Sequence, residues 1–513
     1  MLKSWRPYFI IFVLGFLLYS QTLVFNFTYL DDNTLILDNY PLISQAKNIG
    51  RLFTDDAFFS NSNFYYRPLL NLSLMGDAHW GGQELFFYHL TNILLHCLAA
   101  CLLFLFLSAL TIRRPLAFGL SLFFLVAPVA TMAVAWIPGR NDSLLTIFIL
   151  AAFLVFLRFL ESPKLRFYLA YLAFFFLALL SKETAVFLPF LLIIYWSLLA
   201  RGRLLARDKF LFIFGSLGIL GVWFFLRAFA LENTAWALGP ALKQIIIDSP
   251  ALLLALGKMV LPINLSVYPI AADSSWLYGL FILILIIIAL VFSRRRRSAY
   301  LIFGAAWFLI FFLPSLLSLN PPGDFLEHRL YLPFAGLLII LGEIDWLKGL
   351  DFKKRAVKAG AVLVIIVFAL VTWRYSLNFK DGLTFWRQAT ASSPHSLLAQ
   401  RNLGVMDYFH NDFSGASSHY RQALALNPTE PMAHNNLGVI ALEEKNFSVA
   451  ETEFKQELLV NPDYATTYFN LGDLYYQEHH LEEAAAYWRQ TLILNPDYAP
   501  AYERLLIFQN QLR

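Results

Sequence analysis

Two adjacent carboxylates, Asp31 and Asp32, stand in Tyr29-Leu30-Asp31-Asp32-Asn33, a few residues beyond the first long apolar run. A carboxylate pair at a membrane surface is costly to hold as charge and well suited to accepting a proton, which makes it a candidate general base. The same residue types also favour a solvated turn that closes a helix, and the pair alone does not choose between the two. Further along, single basic groups stand beside acids or amides: Arg67 before Pro68, Arg140-Asn141-Asp142, Lys182-Glu183 and Glu327-His328-Arg329. Each by itself suits an interfacial anchor with a snorkelling side chain. Together they suit one cavity in which acids take protons and cations hold an anion. A denser piece runs from Arg67 to Asp77 and on to His89, Asn92 and His96. Those three, at i, i+3 and i+7, share one helical face, which either lines a polar groove or bonds to neighbouring helices. The histidine spacing is not that of a zinc site, and Asp31 with Asp32 is too little to specify an ion. No metal or cofactor is therefore indicated, although the acids leave room for a divalent cation.

These groups must be positioned by a membrane. The 513 residues are 58% hydrophobic and 14% charged, with mean hydropathy +0.58, well outside the range of a soluble domain. The net charge of +4 is too small for a nucleic-acid partner, and the basic residues cluster beside apolar runs, where they report topology. Cys97 and Cys101 lie inside one apolar run and read as packed residues, not as a disulfide or metal pair. Residues 7–25 follow a basic start without a cleavage site and read as an uncleaved first span. Runs long enough to cross fall near 7–25, 85–110, 115–135, 143–160, 166–181, 183–200, 209–229, 276–293, 299–317, 330–345 and 356–375, eleven spans in all. The stretch 237–270, interrupted by Pro250, Gly257 and Pro262, fits a surface helix or a dipping hairpin. Basic clusters occupy alternate connections: Lys3 and Arg6, Arg113-Arg114, Lys164 with Arg166, Arg201 to Lys209, Arg294 to Arg297, and Lys348 to Lys358. The positive-inside rule puts these in the cytosol together with the N-terminus. The connections 26–84, 136–142, 181–183, 230–275 and 318–329, and everything after about 376, then face the other side. They carry the candidate groups named above, with His89, Asn92 and His96 at the start of the adjoining second span.

From about 397 the sequence turns polar and repeats itself every 34 residues. Asn402-Leu-Gly404, Asn436-Leu-Gly438 and Asn470-Leu-Gly472 recur, as do Ala416, Ala450 and Ala484, then Tyr420, Phe454 and Trp488, then Asn427-Pro428, Asn461-Pro462 and Asn495-Pro496. This is the tetratricopeptide pattern of two antiparallel helices per unit. Three units are expected at 397–430, 431–464 and 465–498, with a capping helix at 499–513 and a linker helix at 378–396 after a membrane domain at 1–377. Stacked units make a concave surface for a peptide or protein and supply no catalytic group of their own.

With both halves in view, the chain resembles the class C (GT-C fold) polyprenyl-phosphate-sugar-dependent glycosyltransferases, and within them the TMTC type that joins a membrane domain to tetratricopeptide repeats. The resemblance covers nearly the whole chain. It rests on Asp31-Asp32, Tyr66-Arg67-Pro68-Leu69, His89-Leu-Thr-Asn92-Ile-Leu-Leu-His96, Ala133 to Asp142, Leu180-Ser-Lys182-Glu183, His328 to Pro333 and the repeats. Ala127 precedes Pro128 where the resemblance would place His. The resemblance implies an all-α polytopic bundle followed by an α-solenoid. It further implies transfer of a hexose such as mannose from a lipid-phosphate carrier to a protein hydroxyl. An Asp of the first outer loop, Asp31 or Asp32, would be the base. Arg67, Arg140, Lys182, Glu183, His328 and Arg329 would hold carrier phosphate or sugar, with Asp77, His89, Asn92 and His96 lining a groove. One direct attack would invert the anomeric centre. The membrane would be the inner or plasma membrane of a bacterium or the endoplasmic reticulum of a eukaryote, with the repeats periplasmic or lumenal. Two other classes compete: a membrane-anchored scaffold, against which eleven spans are excessive, and a transporter, against which the charges gather at one face.

Overall fold

The structure, a computed structural model, describes residues 4–60, 65–200, 205–231, 248–317 and 325–511. Parts of the expected connections, 61–64, 201–204, 232–247 and 318–324, lie outside the described residues. All regular elements among those described are helical, and the chain divides into two compact units, Met1–Phe385 and Trp386–Arg513.

In the first unit the apolar runs become helices whose starts are marked by proline in the first turn, where its missing N–H would have had no partner: Pro7, Pro68, Pro115, Pro189 and Pro333. Six helices are long and apolar enough to cross a membrane: Arg6–Val24, Leu85–Ala109, Ile137–Glu161, Ala206–Ala230, Ser298–Leu316 and Arg355–Phe379. Arg114–Leu125 with Pro128–Ala135 passes the same test as a pair bent by 56° at the proline, a seventh span if the two cross as one. Leu165–Ser181, Glu183–Leu198 and Leu277–Val291 are shorter apolar helices. The run at 330–345 contains only the nine-residue helix Pro333–Leu341, too short at about 1.5 Å per residue to cross alone. Counting only helices of 18 residues or more, the described residues hold six of membrane length, or seven with the bent pair, and the shorter apolar helices occupy further runs among the eleven that hydropathy marks. The prolines and polar breaks at 128, 182–183 and 327–333 divide continuous hydropathy into shorter pieces. Within 237–270, the described part contains the helix Pro250–Val260.

The helix Leu85–Ala109 is central, packing on Arg6–Tyr19, Arg114–Leu125 and Arg140–Glu161. Lipid offers no hydrophobic gain for such contacts, so close packing and polar bonds must supply it. Gly304 and Gly336 show how: each helix's glycine lies against the other's backbone carbonyl, where a Cβ would fall within 2.8 and 2.6 Å of the oxygen. An aromatic core surrounds Phe153, whose ring centroid is 5.1 Å from Tyr195, 5.3 Å from Phe106 and 5.8 Å from Trp307.

In the second unit the pairs are Leu397–Phe409 with Phe413–Leu426, Ala433–Glu443 with Phe447–Val460, and Ala465–Gln477 with Leu481–Leu494, followed by Ala499–Gln511. A Cβ on Gly404, Gly438 or Gly472 would collide with Tyr420, Phe454 or Trp488 respectively. The sequence period is therefore a packing period, one small residue under one large ring per unit. Each turn between paired helices has a left-handed residue at the same place, Asn411 (φ 61), Lys445 (φ 59) and His479 (φ 65).

Candidate functional site

The first outer loop treats its two acids differently. Asp32 is buried (1% exposed), and its carboxylate accepts bonds from the Thr28 N–H (2.7 Å), the Thr28 hydroxyl (2.9 Å) and the Asn33 N–H (3.0 Å). It thereby fastens the start of the short helical turn Asn33–Asp38 to the strand of chain leaving the first span. Loss of hydration dominates these bonds and pushes its pKa up to about 7. Asp31 is exposed, and its backbone is in the left-handed region (φ 67), as is that of Tyr29 (φ 57). For a residue with a Cβ this conformation costs about 1–3 kcal/mol and persists where the surroundings impose it. Although exposed, the Asp31 carboxyl lies close among protein atoms. Desolvation raises its pKa and the nearby charge of Arg67 opposes the rise.

Three cations converge on this region from three different connections. Arg67, at the start of Pro68–Gly81, donates from Nε and Nη2 to Glu183 Oε2 (3.2 and 3.1 Å), and the Tyr66 N–H donates to Glu183 Oε1 (3.1 Å). Lys182 Nζ donates to both oxygens of Asp142 (2.7 and 2.8 Å). His328 Nε2 is 3.9 Å from Asp142 Oδ2, and its ring lies 5.2 Å from that of Trp136. Arg329 is half-buried beside it. Burial first, then the positive charges of Lys182, Arg329 and Arg67, hold the His328 pKa well below its ordinary value, so the imidazole is neutral. Trp136 ties the assembly to the acidic loop, its indole N–H donating to the Leu30 carbonyl (2.6 Å). Asp31, Arg67, Asp142, Lys182, Glu183, His328 and Arg329 thus form one polar group with charges of both signs.

Five expected members stand elsewhere. Arg140 is fully buried; it donates to Asp77 Oδ2 (2.5 Å), Asn92 Oδ1 (2.8 Å) and the Tyr88 carbonyl (2.7 Å). With all its nitrogens so engaged it is an internal strut. Asp77 completes that strut, also accepting from the Thr91 hydroxyl (2.6 Å). Asn92 Nδ2 donates to the carbonyls of Val134 (3.0 Å), Trp136 (3.2 Å) and Ile137 (3.3 Å), which shapes the bent segment that carries Trp136. His96 Nε2 meets the Leu125 carbonyl (3.0 Å), an acceptor, so Nε2 carries the proton and Nδ1 accepts from the Tyr331 hydroxyl (2.6 Å). His89 is buried beside the Phe25 ring. Asn92 and His96 accordingly bond to neighbouring segments, while His89 packs beside Phe25, and all three are buried.

Sequence reasoning passed over Trp136, Asp142 as a site member, and Lys258. Lys258 and Glu327 are both fully buried and paired at 2.5 Å, with the Tyr375 hydroxyl on the other glutamate oxygen (3.0 Å). Glu327 therefore anchors the turn that presents His328 and Arg329. A lone lysine within the apolar run 250–260 was the available signal, because an ionisable group there needs a partner. Among the described residues, no three of His, Cys, Asp and Glu come together as a metal cluster.

Comparison with known proteins adds three findings. Models of the tetratricopeptide repeat match residues 407–465 and 465–498. A Caenorhabditis elegans protein named protein O-mannosyl-transferase F38B6.6 is 26% identical over 398 residues, 73% of this chain and 56% of that protein. Protein O-mannosyl-transferase Tmtc1 of Drosophila melanogaster is 33% identical over 34% of this chain and 20% of its own length, and human protein O-mannosyl-transferase TMTC1 is 34% identical over 28% and 17%. The chain thus spans between about a fifth and just over half of these relatives. Among solved structures, MamA 41-end from Desulfovibrio magneticus RS-1 matches at 18% identity over 25% of this chain and 82% of that chain, with a TM-score of 0.22. The chain is a helical protein with several membrane-length apolar helices and C-terminal tetratricopeptide repeats, and its curated relatives are TMTC-type proteins named as protein O-mannosyl-transferases.

Proposed function

We propose that this chain is a membrane glycosyltransferase that moves a hexose, mannose by the names of its relatives, from a polyprenyl-phosphate carrier to a hydroxyl of a protein acceptor. The observation that carries this reading is the desolvated carboxyl of Asp31 beside Arg67, in one group with Lys182, Arg329 and neutral His328. Attack by an acceptor hydroxyl needs a base at the oxygen and fixed positive charge at the departing phosphate. Asp31 is the base. Arg67, Lys182 and Arg329 meet the phosphate, with Glu183 and Asp142 fixing the first two cations in place. Asp32 holds the loop, and the sugar is transferred with inversion. The tetratricopeptide repeats bind the acceptor chain, as a concave array of helix pairs does without chemistry of its own. Basic connections facing the cytosol put the site and the repeats on the opposite side of the membrane.

The test is mass spectrometry of outer-compartment proteins from cells with and without this chain, joined to donor binding by the purified protein. A hexose-sized increment should disappear from specific proteins when the chain is absent. Arg329→Ala should weaken binding of a polyprenyl-phosphate-mannose donor by roughly 1.5–3 kcal/mol, the worth of a charge-assisted hydrogen bond. An unchanged glycoprotein profile together with unchanged donor affinity would refute the proposal.

A further inference from the structure

The ends of the same helices opposite the candidate site carry a second assembly. Leu85–Ala109 has Asn92 and His89 in its first two turns, so its far end, which leads to Thr111 and Arg113, lies roughly 25–30 Å from them along the axis. There, three connections far apart in sequence are bound together. Glu343, fully buried, accepts from the Arg297 N–H (2.9 Å), Arg297 Nε (3.0 Å) and Lys348 Nζ (2.6 Å). Arg113 Nη1 donates to the Lys348 carbonyl (2.6 Å), Arg297 donates to the Thr111 hydroxyl, and Asp345 Oδ2 accepts from the Arg295 N–H (2.9 Å). One buried carboxylate and two cations thus lock a frame around which other cations face outward. Arg294, Arg295, Lys353, Lys354, Arg355 and Lys358 are exposed and make no ion pair among the described residues. Beside them Trp346 (73% exposed) and Phe292 (79%) present large rings at the ends of apolar helices, the level at which aromatic side chains meet lipid headgroups.

We infer that this frame is a binding site for the headgroup phosphates of anionic phospholipids. Positive charge alone would serve topology without being fastened into a single cluster. Here the fastening holds Arg294 and Arg295 against the 343–348 segment, which Lys353, Lys354, Arg355 and Lys358 follow within ten residues of chain, and arginine's planar fork suits a phosphate oxygen pair. The rings of Trp346 and Phe292 would flank the glycerol region of the same lipid.

The experiment uses the full chain purified in detergent and counts retained lipid by native mass spectrometry after addition of phosphatidylglycerol or phosphatidylcholine. Phosphatidylglycerol should be retained at least tenfold more strongly. Arg294→Gln with Arg295→Gln should weaken retention about fivefold for each arginine, and Lys353→Gln with Lys354→Gln should weaken it similarly. Arg207→Gln, an exposed cation outside the frame, should leave retention unchanged. Equal retention of the two lipids, or retention untouched by both double variants, would overturn the inference. So would an effect of Arg207→Gln as large as that of one framed arginine, which would mean diffuse charge. Displacement of phosphatidylglycerol by millimolar inorganic phosphate would mean that the ligand is soluble phosphate and not lipid.

Discussion

Replacing each acid of the first outer loop by its amide separates a base from a clasp. Asp32 has three donors aimed at it, two from Thr28 on Oδ2 and one from Asn33 on Oδ1. In Asp32→Asn only one oxygen remains. If it stays on Thr28, the new amide NH2 faces the Asn33 N–H, donor against donor. One bond is lost and one buried donor is left unmatched, a cost of about 1–3 kcal/mol of stability. Asp31 is exposed, and its charge is already disfavoured by desolvation, so Asp31→Asn should shift stability by no more than about 0.5 kcal/mol. Turnover reverses the order. Removing the proton acceptor should slow single turnover by about two to four orders of magnitude in Asp31→Asn. In Asp32→Asn the folded fraction should react with a modest deficit. The assays are denaturation midpoints in detergent and single-turnover sugar transfer from polyprenyl-phosphate-mannose to a peptide. Near-parent turnover of Asp31→Asn, or a stable Asp32→Asn with abolished turnover, would refute the assignment.

Arg140→Met should destabilise the membrane unit by about 3–5 kcal/mol, since it strands the buried Asp77 charge, and the folded remainder should bind donor as the parent does; a selective loss of donor binding would return Arg140 to the phosphate. Gly438→Ala drives a methyl into the Phe454 ring and should cost about 1–3 kcal/mol in the repeat unit, read as a lower melting temperature of that transition alone. The folded-state pKa of Asp32 is raised to about 7 from 3.8, so the protonated form favours folding. Its contribution is full below about pH 4 and is lost as pH rises through about 7, and the pH profile of stability should flatten in Asp32→Asn.

How much of this was legible in the sequence depended on what each signal measures. The 34-residue period could be read because Gly404, Gly438 and Gly472 each sit under a ring, a contact confined to one repeat. Helix starts were legible from proline for an equally local reason. Breaks within the apolar runs were not legible, because hydropathy sums residues without registering that Pro128 bends a run by 56° or that 330–345 holds nine helical residues. Among the charges, the sequence showed that Arg67, Arg140, Lys182 and Arg329 were unusual but not which of them meets a buried acid. Arg140 and Lys182 differ in role only through their partners, Asp77 at one and Asp142 at the other, and both pairings join segments tens of residues apart. The interior partner of Glu327 came from Lys258, 69 residues earlier.

Charge balance gives the proposed reaction its sharpest consequence. The candidate group holds three cations, Arg67, Lys182 and Arg329, against three carboxylates, Asp31, Asp142 and Glu183, with His328 neutral. A carrier-phosphate sugar enters as a phosphodiester with one negative charge and leaves as a monoester that gains a second. In a site shielded from water that extra charge is expensive unless it is offset where it forms. A proton moving from the acceptor hydroxyl to Asp31 removes one negative charge as the phosphate gains one, so the total within the group is constant through the transfer. The same desolvation that raises the Asp31 pKa makes it a stronger base than an ordinary surface carboxylate. The base works only when ionised, so single-turnover rate should rise with pH through a midpoint above the ordinary value of 3.8 and fall away below it. In Asp31→Asn this limb should vanish and leave a slow, pH-independent residue. A limb that survives unchanged in Asp31→Asn would place the proton on another group and remove the charge-balance argument with it.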